Sequence, residues 1–128
     1  VLMSQIDWLA SLGELIGAKL PQGSAPDSES HLANLLGNKN NERTWIIEQN
    51  NTRVLSVRTP RWKYIEPNDG GKMITWGPKI ETGNNPLPQL YNMIESKTET
   101  NNMANQYPEV VYELQNVLRR ERAKTIKE

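Results

Sequence analysis

Three short runs of β-forming residues stand almost end to end in the middle of this chain, and the links between them admit only one kind of pairing. The first, residues 44–49 (Thr-Trp-Ile-Ile-Glu-Gln), is rich in β-branched and aromatic residues. Asn50-Asn51 predicts a two-residue turn, because Asn tolerates positive φ. Residues 52–58 then alternate, with Val54 on one side of the pleat and Leu55 and Val57 on the other. Thr59-Pro60 is a tight link, and residues 61–66 alternate again, with Trp62, Tyr64 and Glu66 on one face and Lys63 and Ile65 on the other. Parallel neighbours would need crossovers of a dozen residues or more, so these runs predict an antiparallel meander.

The flanks are helical. Ser4 with Asp7 resembles a capping box, with Asp in place of the usual Glu or Gln, and predicts a helix over residues 4–16 that ends at Gly17. Ile6, Leu9, Gly13 and Ile16 fall on one face, with Trp8, Leu12 and Leu15 beside it. That apolar arc is wide for an edge helix, as though made to pack against more protein than the chain holds. A loop over residues 21–28 precedes a short second helix near residues 28–36, with Asp27 or Ser28 as its cap and Gly37 as its stop, and residues 38–42 read as a polar turn. After the meander comes an irregular segment, residues 67–88, with prolines at 67, 78, 86 and 88 and glycines at 70, 71, 77 and 83. Loops of that length are usually functional or covering loops. Leu90 to Met93 supplies a last short strand, and residues 100–106 a helical turn. Pro108 then opens a final helix with an apolar stripe of Val110, Val111, Leu114, Val117 and Leu118. The predicted class is α+β: a small antiparallel sheet of three to four strands packed by a C-terminal helix and preceded by two helices. The organisation expected is a helical segment, 1–37, and a sheet-plus-helix unit, 38–128.

Composition removes several functions. Fifteen basic and fifteen acidic residues leave a formal net charge of zero, so no overall field favours a phosphate backbone or an anionic membrane, and no nucleic-acid partner is expected. The chain has no cysteine, which excludes disulfides, thiol catalysis and zinc–thiolate sites within it. No stretch approaches the ~20 apolar residues of a membrane-spanning helix. The start, Val1-Leu2-Met3-Ser4, lacks a basic leader, and the chain reads as a piece of something longer.

Three stretches resemble the C-terminal region of the sulfatases, in the alkaline-phosphatase superfamily. Ser4-Gln5-Ile6-Asp7 through Leu20-Pro21 resembles the family's "QIDLLPTLLDLAGIKLP" helix. Ser56-Val57-Arg58-Thr59-Pro60-Arg61-Trp62-Lys63-Tyr64-Ile65 resembles its "aiRtgrWKYI" pair of strands. Gln89 to Met93, Glu99 to Ala104 and Tyr107-Pro108-Glu109 resemble "LYDLxxDPxETxNLAxxxPE". The blocks occur in the family's order and span nearly the whole chain. Lys97 departs from a preferred proline and Asn92 from a common aspartate, which predicts a local change of turn shape and the same fold.

The resemblance implies that the chemistry lies elsewhere in a longer parent. Sulfatases use a formylglycine made in a C/S-x-P-S-R motif, with a Ca²⁺ ion that stabilises the sulfate charge. The one S-x-P here, Ser24-Ala25-Pro26, is followed by Asp27-Ser28 and no arginine. No cofactor is therefore expected in this chain, while the parent is expected to use Ca²⁺ and formylglycine. The implied partner is the N-terminal catalytic domain of the same parent, and a homo-oligomer formed through residues 4–16 is a further expectation. The parent is expected to be exported: periplasmic, secreted or lysosomal. The readings that compete are a stand-alone carbohydrate-binding or assembly module, and the same subdomain of a phosphodiesterase or sulfamidase.

Among single residues, His31 reads as a solvated surface side chain beside Glu29 and Asp27. Trp62 and Tyr64 read as core packing under a helix, and Arg119 to Lys124 as a solvated helix end. Asn50-Asn51-Thr52 is a formal glycosylation sequon. Trp76, in the Pro/Gly-rich segment with Lys72 and Lys79, is either a plug or a sugar-stacking platform. Trp76, Lys72 and His31 are the candidate substrate-rim residues; no catalytic or metal-ligating residue is assigned.

Overall fold

The computed structural model describes residues 1–38, 43–95 and 97–125; most of the expected polar turn at 38–42 lies outside them. Its elements run α1 (Asp7–Leu15), α2 (Leu32–Leu35), β1 (Ile46–Gln49), β2 (Leu55–Arg58), β3 (Trp62–Ile65), β4 (Gln89–Asn92) and α3 (Pro108–Thr125). The four strands form one sheet in sequence order, with β2–β3 and β3–β4 antiparallel. The α+β architecture expected from the sequence is thus present. The chain divides into two compact units, Val1–Ile46 and Ile47–Glu128.

In the second unit the register explains the core. Val57 lies opposite Tyr64, and Tyr64 opposite Leu90, so one face of the sheet carries these three in a row. All three are fully buried beneath α3, which packs on β2 and β3. Val111, Leu114, Val117 and Leu118 complete that core, as their 3.6 spacing predicts. Tyr64 keeps a hydrogen bond to Gln115, which satisfies its buried hydroxyl. Trp62 is half-buried: its ring tilts against Tyr107, with centroids 5.0 Å apart, and the Arg61 guanidinium lies 5.0 Å from its centre. On the other face Lys63 reaches Glu99 at 2.8 Å and Glu48 at 3.4 Å. Of the basic residues near the helix end, Arg122 is held by Glu66 at 2.8 Å, while Arg119 and Arg120 are exposed as expected.

The turns follow local chemistry. The Thr59 hydroxyl accepts the Trp62 N–H at 2.8 Å and closes the β2–β3 link. Between β1 and β2 the expected two-residue Asn50-Asn51 turn is replaced by a longer one. Asn50 stays at its entrance, accepting N–H groups from Thr52 and Val54 at 2.9 Å each, and the residue with positive φ is Arg53, at 68°. Residues 103–106 form a single turn, closed by the Gln106 N–H on the Met103 carbonyl. The free edge of β4 is covered by this segment. Asn102 accepts the Leu90 N–H at 3.0 Å, and the Leu90 carbonyl accepts the Met103 N–H at 2.7 Å.

The first unit is built differently. Gly17 (φ 67°) and Gly37 (φ 85°) end their helices as expected, and the Ala18 and Asn38 N–H groups bond back to Gly13 and Ala33. The residues α1 buries are Asp7, Ser11 and Gly13. Its apolar residues Trp8, Leu9, Leu12 and Leu15, with flanking Ile6 and Ile16, are all exposed. The wide apolar arc read from the sequence is real, and it faces outward.

Candidate functional site

The long segment 67–88 proves to be an ordered arm of the second unit. The Asn68 N–H bonds to the Asn85 carbonyl at 2.8 Å, Thr82 to Lys72 at 3.0 Å and Ile74 to Ile80 at 2.9 Å. Met73 pairs with Glu81 as an antiparallel bridge. These contacts make residues 72–82 a hairpin whose tip is Trp76-Gly77-Pro78, with Gly77 at φ 74°. Trp76, at 76 % exposed, plugs nothing. Lys72 lies on the stem of the same hairpin, and Lys79 at its neck.

The base of the hairpin is held by side chains. Asn84 is buried; its amide donates to the Gly71 carbonyl at 3.1 Å, and its Oδ1 accepts from Asn50 at 3.3 Å and Thr52 at 3.2 Å. The Thr82 hydroxyl adds a 2.6 Å bond to the same Gly71 carbonyl. Gly70 lies so close that a methyl group there would collide with the Asn84 amide. Asn50, the acceptor position of the formal sequon, has its amide committed to Asn84 and the Thr82 carbonyl. Sequence reasoning missed Asn84 and Asn50 as supports; the run Thr82-Gly83-Asn84-Asn85 is a turn signal and names no partner.

His31 lies in the other unit, and its environment corrects the sequence reading. It is 2 % exposed, where a solvated position was expected. The reason is α1: the Ser11 hydroxyl accepts the His31 N–H at 2.9 Å, and the imidazole Nε2 lies 3.5 Å from Asp7 Oδ2. Asp7 is the hub. It accepts Arg43 Nη2 at 2.6 Å and Nε at 2.9 Å, together with the Ser4 N–H at 2.7 Å and the Glu29 N–H at 3.1 Å. The Ser4 bond is the carboxylate half of the predicted capping box. Burial raises the Asp7 pKa, but the Arg43 bonds and the two N–H groups outweigh it and hold the carboxyl at about 2. Arg43 is pushed up in turn, chiefly by its bond to Asp7. Ser28, expected to cap α2, instead accepts the Ala10 N–H and donates to the Ile6 carbonyl. Asp7 and Ser11, one turn apart in an otherwise apolar helix, were the available signal for this inner face.

The residues present do not fit a sulfatase's catalytic groups. Among the described residues no three His, Cys, Asp or Glu side chains gather to hold a metal ion. Ser24 donates its hydroxyl to the Pro21 carbonyl in an exposed turn and has no arginine in the motif position. Among the described residues, no helix is long and apolar enough to cross a membrane.

No family model matches the chain. Relatives do. The N-acetylgalactosamine-6-O-sulfatase of Bacteroides thetaiotaomicron is 45 % identical over 117 residues, covering 91 % of this chain and 23 % of that protein. Arylsulfatase K of Canis lupus familiaris is 29 % identical over 127 residues, covering 91 % of this chain and 21 % of its own length. A solved structure described under the metabolism of multiple glycosaminoglycans by Bacteroides thetaiotaomicron matches with a TM-score of 0.85 at 44 % identity, covering 96 % of this chain and 25 % of that one. The chain thus spans about a quarter of the length of the proteins it resembles. The class these matches define is an α+β region that makes up part of a larger hydrolase-type chain. More particularly, the chain matches the C-terminal region of a sulfatase. The motif residues that carried the resemblance are accounted for by structure: Lys63 pairs with Glu99, and Asn102 closes β4. Asn92, where an aspartate is common, accepts the Ile94 N–H at 3.2 Å.

Proposed function

We propose that this chain is the C-terminal subdomain of a sulfuric ester hydrolase. It buttresses the catalytic domain, completes one wall of the substrate cleft and carries no chemistry alone. The observation that carries the reading is the outward apolar face of α1 on a chain that spans a quarter of its sulfatase relatives. Residues 1–37 dock that face on the N-terminal catalytic domain, and residues 38–128 build the wall. The parent uses formylglycine and Ca²⁺, both held upstream, on a sulfated amino sugar of the kind named for the Bacteroides relative. It works outside the cytoplasm: periplasmic, secreted or lysosomal. Trp76 and Lys72 stand at the substrate rim; the burial of His31 supports a packing role for that residue.

The test is an assay of 4-nitrocatechol sulfate and 4-nitrophenyl phosphate hydrolysis with Ca²⁺, run on this chain alone and on the full-length protein. Sulfate turnover by the full-length protein only is the expected result. Turnover by this chain alone would overturn the assignment of chemistry to upstream residues, and preferential phosphate turnover would move the parent to a phosphoesterase.

A further inference from the structure

We propose that the turn between β2 and β3 is a second docking point for the upstream part of the parent, where Arg61 and Arg58 receive a carboxylate from it. The proposal rests on the reading of this chain as one subdomain of a longer hydrolase. It deepens that reading by naming the residues of the contact and the chemistry they meet.

Arg61 is held in place although it is exposed. Its guanidinium lies over the Trp62 ring, 5.0 Å from the centroid, and the same ring tilts against Tyr107 at 5.0 Å. Stacking on an indole fixes the plane of a guanidinium and leaves the N–H groups along its edge free to donate. The backbone beneath is equally fixed. The Thr59 N–H donates to the Trp62 carbonyl at 2.8 Å, and the Thr59 hydroxyl accepts the Trp62 N–H at 2.8 Å. Pro60 restricts the turn further, and the Arg61 carbonyl accepts the Met93 N–H at 2.7 Å. A group already ordered loses little entropy when a partner binds.

The charge at this turn is uncompensated. Arg58 stands directly across the ladder from Lys63, and like charges in that position destabilise a sheet. Lys63 is relieved by Glu48 and Glu99. Arg58 donates to the Thr59 carbonyl, and among the described residues neither it nor Arg61 forms a salt bridge. Arg43 and Arg122, by contrast, are each paired with a carboxylate. Ordered cations with no carboxylate of their own are complementary to an acidic surface. The half-buried Trp62 ring is engaged by Arg61 and Tyr107, so the turn offers a guanidinium edge and no platform for a sugar ring. That edge matches a carboxylate with two parallel hydrogen bonds.

The experiment is carbodiimide cross-linking of the full-length protein carrying Arg61→Lys, read by peptide mass spectrometry. The introduced amine forms an amide with a carboxylate it touches, and the carbodiimide takes up the water as a urea. The Lys63–Glu99 pair, 2.8 Å apart, is the internal control. The expected product joins position 61 to an Asp or Glu upstream of this chain within one molecule. A link to a second molecule or to a carboxylate of residues 1–128 overturns the proposal. So does the lack of any link at position 61 while the control forms. In the unaltered full-length protein, Arg61 and Arg58 should react with phenylglyoxal about tenfold more slowly than the exposed Arg119. Equal rates would overturn the proposal as well. Should the protein hydrolyse no sulfate ester, the parent assignment fails while the cross-link still decides the turn.

Discussion

The two units of this chain bury opposite things. In the second, Val57, Tyr64 and Leu90 lie under Val111, Leu114, Val117 and Leu118, and the charged groups sit outside. In the first, the buried side chains of α1 belong to Asp7 and Ser11, joined by His31 and Arg43, while the leucines of the helix face outward. A self-sufficient unit puts its apolar stripe inside, because burial of apolar area is the main favourable term in folding. A unit that uses hydrogen bonds and the ion pairs of Arg43 with Asp7 and Glu29 to hold its shape leaves its apolar stripe exposed. The contrast separates an element that completes its own core from one whose apolar face is left exposed.

The sharpest way to break the comparison is to remove the polar centre. Asp7 is 0 % exposed and holds Arg43 by three hydrogen bonds. Asp7→Ala leaves the guanidinium buried without its partner, which is expected to destabilise the first unit by about 3–5 kcal/mol. Hydrogen exchange should show α1 amides losing protection while those of β2 and β3 keep theirs. Equal loss in both units would mean that the two do not differ in what holds them. The mirror change is Leu90→Ala, which opens a cavity beneath α3 and is expected to cost about 3 kcal/mol in the second unit alone.

Acid offers the same distinction without mutation. The folded Asp7 pKa of about 2 lies below its ordinary 3.8, so the contribution is full above that ordinary value and fades as pH falls through the folded one. A loss of about 2 kcal/mol between roughly pH 4 and pH 2 is expected in the first unit. Its absence in Asp7→Asn would assign the acid limb to this residue. Lys63 titrates at the other end. Burial opposes its charge, but Glu99 and Glu48 raise its pKa above 10.5, so its support of the sheet is lost only as pH rises through that raised value.

The sheet was legible because its determinants are local: alternation, a Thr-Pro link and a proline opening the last helix all act within a few residues. The polar hub was not. Asp7 and Arg43 are separated by 36 positions, and nothing in a run of polar residues says which carboxylate an arginine will meet. His31 misled for the same reason, since its burial depends on Ser11, twenty positions earlier. The Trp76 hairpin was half legible. Its glycines and prolines announced turns, but the Asn84–Gly71 and Asn50–Asn84 bonds that stiffen it are side-chain contacts with no spacing rule. At α1 apolar periodicity was legible as a face too wide for its own unit: it reports which face seeks an apolar neighbour and is silent on what that neighbour is.

The smallest stability effect tests that last point most directly. Leu12 lies on α1 in the exposed stripe, 48 % exposed, and its inner neighbours are already satisfied by hydrogen bonds. Leu9→Gln with Leu12→Gln should therefore change the stability of this chain by only about 0.5 kcal/mol per site, against the several expected at Asp7 or Leu90. The isolated chain is expected to associate through this face as its concentration rises, and the same pair should abolish that association in sedimentation. On the proposed docking of this face against a catalytic domain, the identical change in the full-length protein should instead lower Tm. A large loss in the isolated chain would mean that α1 already supports its own unit through these leucines. A small loss in both contexts would mean that nothing covers the face, and the contrast between the two units would have to be explained without a partner.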